Sequence, residues 1–131
     1  MSDKSHETPD KFQRPKRGWL AKFADAFRGI GQGTAGQSSF AAHLIAAIAV
    51  VTLAAYLSVS LERWCLLVLC IGMVMSAELF NSSLERIARS ITDQVDPNIR
   101  MGLNIASAAV LTLAITAAIV GGVIFVDALF A

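Results

Sequence analysis

Charged side chains are scarce in this chain. Of its 131 residues, 16% are Asp, Glu, Lys or Arg and 55% are hydrophobic. A soluble domain of similar apolarity carries about a quarter charged residues. The deficit is uneven along the chain, which excludes an ordinary soluble domain and points to a membrane protein. Net charge is only +1, so no global basic balance invites nucleic acid. Cysteine is reduced to Cys65 and Cys70, both inside an apolar run, with no CxxC and no Cys/His pairing. Buried free thiols are expected there, rather than a disulfide or a zinc site. No Gly-Lys-Ser/Thr is present, which excludes a Walker loop. Gly31, Gly33 and Gly36 do satisfy GxGxxG, but that motif needs a preceding strand and a following ribose-binding acid. Helical patterns flank it here, so a flexible connector is expected. No internal repeat suggests a coupled transporter. The first 18 residues are polar, without the apolar core of a cleavable signal peptide, and none is expected.

What the chain does contain is a set of long apolar runs with polar punctuation. Residues 1–18 hold Lys4, Lys11, Arg14, Lys16 and Arg17 beside Asp3, Glu7 and Asp10. With no apolar period, they read as a disordered cytoplasmic tail. From Trp19 to Ile30, the apolar residues Trp19, Phe23, Ala26, Phe27 and Ile30 recur at helical spacing, while Lys22, Asp25 and Arg28 fall on other faces. That pattern predicts an amphipathic helix in the membrane interface, with Trp19 at headgroup depth. Three spans follow, over about residues 40–61, 64–84 and 105–126. About 20 residues at ~1.5 Å each cross a hydrocarbon core of ~30 Å. His43 falls in the first turn of the first span, where a lone histidine is expected to be satisfied by backbone or headgroups. Residues 58–63 form a short link. The stretch from Glu85 to Gly102 reads as a polar connection in which Pro97 breaks any continuous helix. Residues 19–131 are thus expected to form a single membrane domain. Seven Lys/Arg precede the first span, three (Arg86, Arg89, Arg100) lie between the second and third, and only Arg63 lies on the other side. The positive-inside rule then places the N-terminus in the cytoplasm and the C-terminus outside.

The second span carries the groups that a lipid-facing helix would not. Glu78, Asn81, Ser82 and Glu85 are spaced i, i+3, i+4, i+7 and share one helical face. Ionisable groups inside a membrane segment are costly and mark a functional site by default. Glu78 stands 14 residues past Trp64, ~21 Å along the axis, close to the inner surface. Three helices are too few to shield two carboxylates from lipid, so oligomerisation is expected. Phosphoryl transfer would use one carboxylate for Mg²⁺ and another as base. A proton or ion pathway would use them too. Spacing alone does not choose between these.

Resemblance does. The run Glu78-Leu79-Phe80-Asn81-Ser82-Ser83-Leu84-Glu85 resembles the Glu-x-x-Asn-Ser/Thr-Ala-Ile-Glu signature of the small bacterial membrane lipid kinases, the diacylglycerol kinase and undecaprenol kinase family. The likeness extends to Phe-Ala-Asp-Ala-Phe-Arg-Gly (Phe23 to Gly29), through His43, and to Ser107-Ala108-Ala109-Val110, and covers about residues 19–126. It implies an all-α membrane protein: a surface helix plus three transmembrane helices, assembled as a homotrimer in the bacterial inner membrane. It further implies transfer of the γ-phosphate of MgATP to the hydroxyl of a membrane lipid, diacylglycerol or undecaprenol. Glu78 would then be the catalytic base and Glu85 a magnesium ligand. Asn81, Ser82, Arg28 and Ser107 would shape the nucleotide site.

This chain departs from the family pattern at several positions. Gln37 stands where the family has a second metal-binding glutamate, and can offer a metal only a neutral oxygen. Arg89 replaces an Asp, Leu103 and Asn104 replace a Lys-Asp pair, and Asp25 replaces a tyrosine. The Lys would offset transition-state charge. Asp93, Asp96, Arg89 and Arg100 are the candidates to compensate. Two readings stand: an active lipid kinase with a rearranged nucleotide site, or a catalytically degenerate relative acting as a structural or lipid-binding membrane protein. Retention of Glu78 and Glu85, the costliest residues to keep in a membrane, favours the kinase.

Overall fold

The computed structural model describes residues 18–35, 38–94 and 96–130. They form four helices: α1 (Trp19–Thr34), α2 (Ser38–Tyr56), α3 (Leu61–Ile91) and α4 (Pro97–Phe130). Among the described residues there is no strand. The last three helices are long and apolar enough to cross a membrane. At ~1.5 Å per residue α2 is ~28 Å long, about one hydrocarbon thickness, whereas α3 and α4 reach roughly 46 and 51 Å and overrun it. The tail before Gly18 lies outside the described residues.

Helix α3 is central. It packs along α4 and also touches α2 and α1. Arg63 at the start of α3 pairs with Asp127 at the end of α4, so those two helices run antiparallel. A tight turn likewise returns the chain from α2 to α3. Ser58 there adopts a left-handed conformation, with φ of 50°. The Val59 N–H donates to the Ala54 carbonyl (3.2 Å) and the Ser58 N–H to the Ala55 carbonyl (3.2 Å). That pair of bonds is a Schellman ending, which satisfies carbonyls that the last turn of a helix otherwise leaves open. Its usual hydrophobic contact is present as well, since Ala54 and Val59 pack together with Leu67 and Ile124 in a buried cluster.

Several predicted boundaries shift. The first span ends at Tyr56, not near residue 61, because the Schellman turn closes it. The second runs on to Ile91 instead of stopping near Leu84. Charge alone does not end a helix there: Glu and Arg are good helix formers, and Glu85 to Arg89 is a favourable i, i+4 pair at 2.9 Å. Pro97 is not a break inside a long loop but the first residue of α4, a position where its missing N–H costs nothing. Asp96 caps that helix, its Oδ1 accepting from the N–H groups of Asn98 (2.7 Å) and Ile99 (3.0 Å). The glycine-rich connector is also shorter than predicted. Gly31 and Gly33 are helical, since α1 continues to Thr34, and Gly36 lies outside the described residues. At Gly33 a Cβ would stand 2.6 Å from Leu79 Cδ2, which marks a close approach of α1 to α3. The Arg86 guanidinium, donating to the Gln32 carbonyl, ties the same turn down.

Candidate functional site

The four polar residues predicted to share one face of α3 divide into two groups. Glu78 and Ser82 are buried, at 3% and 2% exposure, in line with Val74 and Leu67. Asn81 and Glu85 sit at the rim of that stripe, half-buried. Seven residues separate Glu78 from Glu85, ~10 Å along the helix axis. The two carboxylates therefore stand at different levels of α3.

Around Glu85 the contacts are specific. Asn81 Nδ2 donates to Glu85 Oε1 at 3.1 Å, and an Arg89 guanidinium N–H donates to Glu85 Oε2 at 2.9 Å. The Ser107 hydroxyl of α4 donates to Asn81 Oδ1 at 3.4 Å. The Asn81 amide thus gives on one side and receives on the other, which fixes its orientation. It also links α4 to the carboxylate. Below Glu85, a cleft of about 330 Å³ lies between the end of α3 and the start of α4, lined by Glu85, Arg89, Thr92, Asp96 and Arg100. Leu103 lies on the same wall.

Glu78 is buried. Among the described residues its ionisable neighbour is His43 of α2, with Nε2 3.6 Å from Glu78 Oε1. This differs from the expectation of a histidine satisfied by backbone or headgroups. Its place opposite Glu78 arises from antiparallel packing of α2 on α3, which no local spacing reveals. Beneath His43 a cavity of about 290 Å³ opens between α2, α3 and α4. Ala46, Ala47, Ala114, Ala117 and Gly121 line much of it, and their small side chains leave the space.

Two predicted residues stand elsewhere. Arg28 pairs with Asp25 on its own helix at 3.4 Å, and its side chain is largely exposed. Gln37 lies outside the described residues. Among the described residues no group of three His, Cys, Asp or Glu side chains gathers as a metal cage. Mg²⁺ does not need one, since it commonly takes one or two carboxylates, keeps water, and completes its shell with substrate phosphates. Glu85 fits that role: a half-buried carboxylate, oriented by an amide and a guanidinium, on the edge of a cleft.

Comparison with known proteins gives a consistent result. The family model for prokaryotic diacylglycerol kinase matches residues 24–125. The undecaprenol kinase of Bacillus subtilis (strain 168) is 32% identical over 111 residues, spanning 85% of this chain and 90% of that protein. No solved structure matches significantly.

Proposed function

This chain belongs to the prokaryotic diacylglycerol kinase family, and from that premise we propose that it is an active lipid kinase that moves the γ-phosphate of ATP onto the hydroxyl of a membrane lipid. The observation that carries the proposal is the pair of carboxylates on α3, one buried against a histidine that lines an apolar cavity and the other on a polar cleft. The reaction needs that division, because its acceptor is lipidic and its donor is water-soluble.

In this reading Glu78 takes the proton of the lipid hydroxyl as that oxygen attacks the γ-phosphorus, and ADP leaves. A positioned base of this kind contributes about 10²- to 10⁴-fold. Glu85 would hold Mg²⁺; Gln37, the weaker second candidate ligand, lies outside the described residues. A metal held there would supply charge to offset that of the phosphate oxygens. Asn81 fixes Glu85 and, through Ser107, the wall formed by α4. Ser82 fills the helix face between the two carboxylates, whereas a nucleotide role for Arg28 rests on the family resemblance alone, since its side chain pairs with Asp25 on α1. Arg89 and Arg100, on the cleft that Leu103 also lines, supply the positive charge that the family places on a lysine at position 103. An arginine fork suits phosphate oxygens.

The protein sits in the bacterial inner membrane with α1 on the cytoplasmic surface. Three copies assemble so that the rim of Asn81, Glu85 and Ser107 faces a neighbour rather than lipid. The relative's name makes undecaprenol the first acceptor to offer, with diacylglycerol beside it.

The test is a phosphate-transfer assay on the purified protein in lipid bicelles, with MgATP, both alcohols in parallel, and Glu78→Gln as control. Transfer that falls by about 10²- to 10⁴-fold in Glu78→Gln supports the kinase and names its lipid. Absence of transfer from a folded, oligomeric protein favours the degenerate reading, which the residues at 89, 103 and 104 would then explain.

A further inference from the structure

Resting on the kinase reading, we propose that His43 is a positioning residue for Glu78: its imidazole sets the orientation of the buried carboxylate toward the lipid hydroxyl. Three observations converge on it. The Glu78 side chain is only 4% exposed, so water cannot orient it, and a buried carboxylate without a partner is unfavourable. His43 Nε2 stands 3.6 Å from Oε1, which leaves the second carboxylate oxygen for the acceptor. That separation exceeds a hydrogen bond, but catalytic contacts commonly tighten only when substrate is in place.

The third observation is the place of the ring. The His43 side chain is 25% exposed and forms part of the wall of the cavity between α2, α3 and α4. The rest of that wall is alanine, aliphatic and sulfur-bearing side chains and Gly121. The imidazole thus touches both the buried carboxylate and the apolar space. A base oriented by a second group is the general arrangement of activated nucleophilic sites. Here the orienting group comes from a different helix, so the docking of α2 on α3 sets the geometry of the reaction.

Rates decide the matter. kcat and KM for ATP are measured in bicelles for the unaltered protein, His43→Ala, His43→Gln, Glu78→Gln and the double variant His43→Ala/Glu78→Gln. His43→Ala is expected to lower kcat by about 10- to 100-fold, as small misplacements of reacting groups do, with KM for ATP within about twofold. His43→Gln, which keeps an N–H donor, should recover part of the loss. The double variant should be no slower than Glu78→Gln alone, because residues acting as a unit are not additive. A kcat for His43→Ala within about twofold of the unaltered protein overturns the inference. So does a double variant slower than Glu78→Gln by the full His43→Ala factor. If His43→Ala loses its helical circular dichroism, His43→Leu replaces it and the same equality decides. Inactivity of the unaltered protein on both lipids defeats the kinase reading itself; activity indifferent to residue 43 defeats only this inference.

Discussion

The backbone of Gly33 lies against the side chain of Leu79, so close that a Cβ at position 33 would stand 2.6 Å from Leu79 Cδ2. Leu79 is the residue after the buried Glu78. The approach of α1 to α3 is therefore made at the level of the candidate base. The obstructing atom is the end of a flexible side chain, so a single methyl can be accommodated by a rotamer change. Alanine also gains helix propensity over glycine, by about 1 kcal/mol. Gly33→Ala should accordingly leave the melting temperature nearly unchanged. Gly33→Leu should lift the end of α1 from α3. Faster backbone hydrogen exchange over residues 30–34 in the leucine variant, but not in alanine, is the expected result.

Ser58 pays a conformational penalty at the α2–α3 turn, where its φ is 50°. Glycine occupies this position of a Schellman ending without that penalty. Replacing a left-handed L-residue by glycine relieves roughly 1–2 kcal/mol, partly offset by the larger entropy of the unfolded chain. Ser58→Gly is predicted to raise thermal stability by up to about 1 kcal/mol. A thermal melt in detergent checks it, and a lower melting temperature would show that the serine makes a compensating contact.

Arg63 and Asp127 join the beginning of α3 to the end of α4, with side chains 33% and 59% exposed. Pairs this open contribute about 0.2–1 kcal/mol. Asp127→Asn should therefore lower stability only slightly, and less at high salt. The exchange Arg63→Asp with Asp127→Arg should recover what either single reversal loses. A double-mutant cycle with zero coupling would mean that packing of α3 on α4 alone sets this end of the bundle.

Asn81 holds Glu85 at 3.1 Å and receives the Ser107 hydroxyl at 3.4 Å. Partners that orient a metal-binding carboxylate are commonly worth about 10- to 100-fold in metal affinity. Asn81→Ala is expected to raise the Mg²⁺ concentration for half-maximal phosphate transfer by about tenfold. Ser107→Ala should produce a smaller change in the same direction, because it acts through Asn81. An unchanged Mg²⁺ dependence in Asn81→Ala would remove Glu85 from the metal site.

Much of this protein was legible in one dimension. Apolar runs longer than a bilayer is thick are a local property, so the three long helices could be read directly. The i, i+3, i+4, i+7 spacing of Glu78, Asn81, Ser82 and Glu85 places them on one side of any helix, whatever that helix packs against. The signature around them was enough to indicate the family.

Helix ends were less legible. They depend on which backbone groups find partners and on local helix formers: the Asp96 cap put Pro97 inside α4, the turn at Ser58 closed α2 early, and α3 continued through helix-forming Glu85, Arg86 and Arg89 beyond its apolar stretch. Only the tertiary structure decided the rest. It buried Glu78 and left Glu85 at a rim, because the neighbouring helices cover one part of the α3 face and not the other. It brought His43 to Glu78 across 35 positions of sequence, and Ser107 to Asn81 across 26. Those meetings follow from antiparallel helices packing at fixed register, a long-range property that no window of sequence contains.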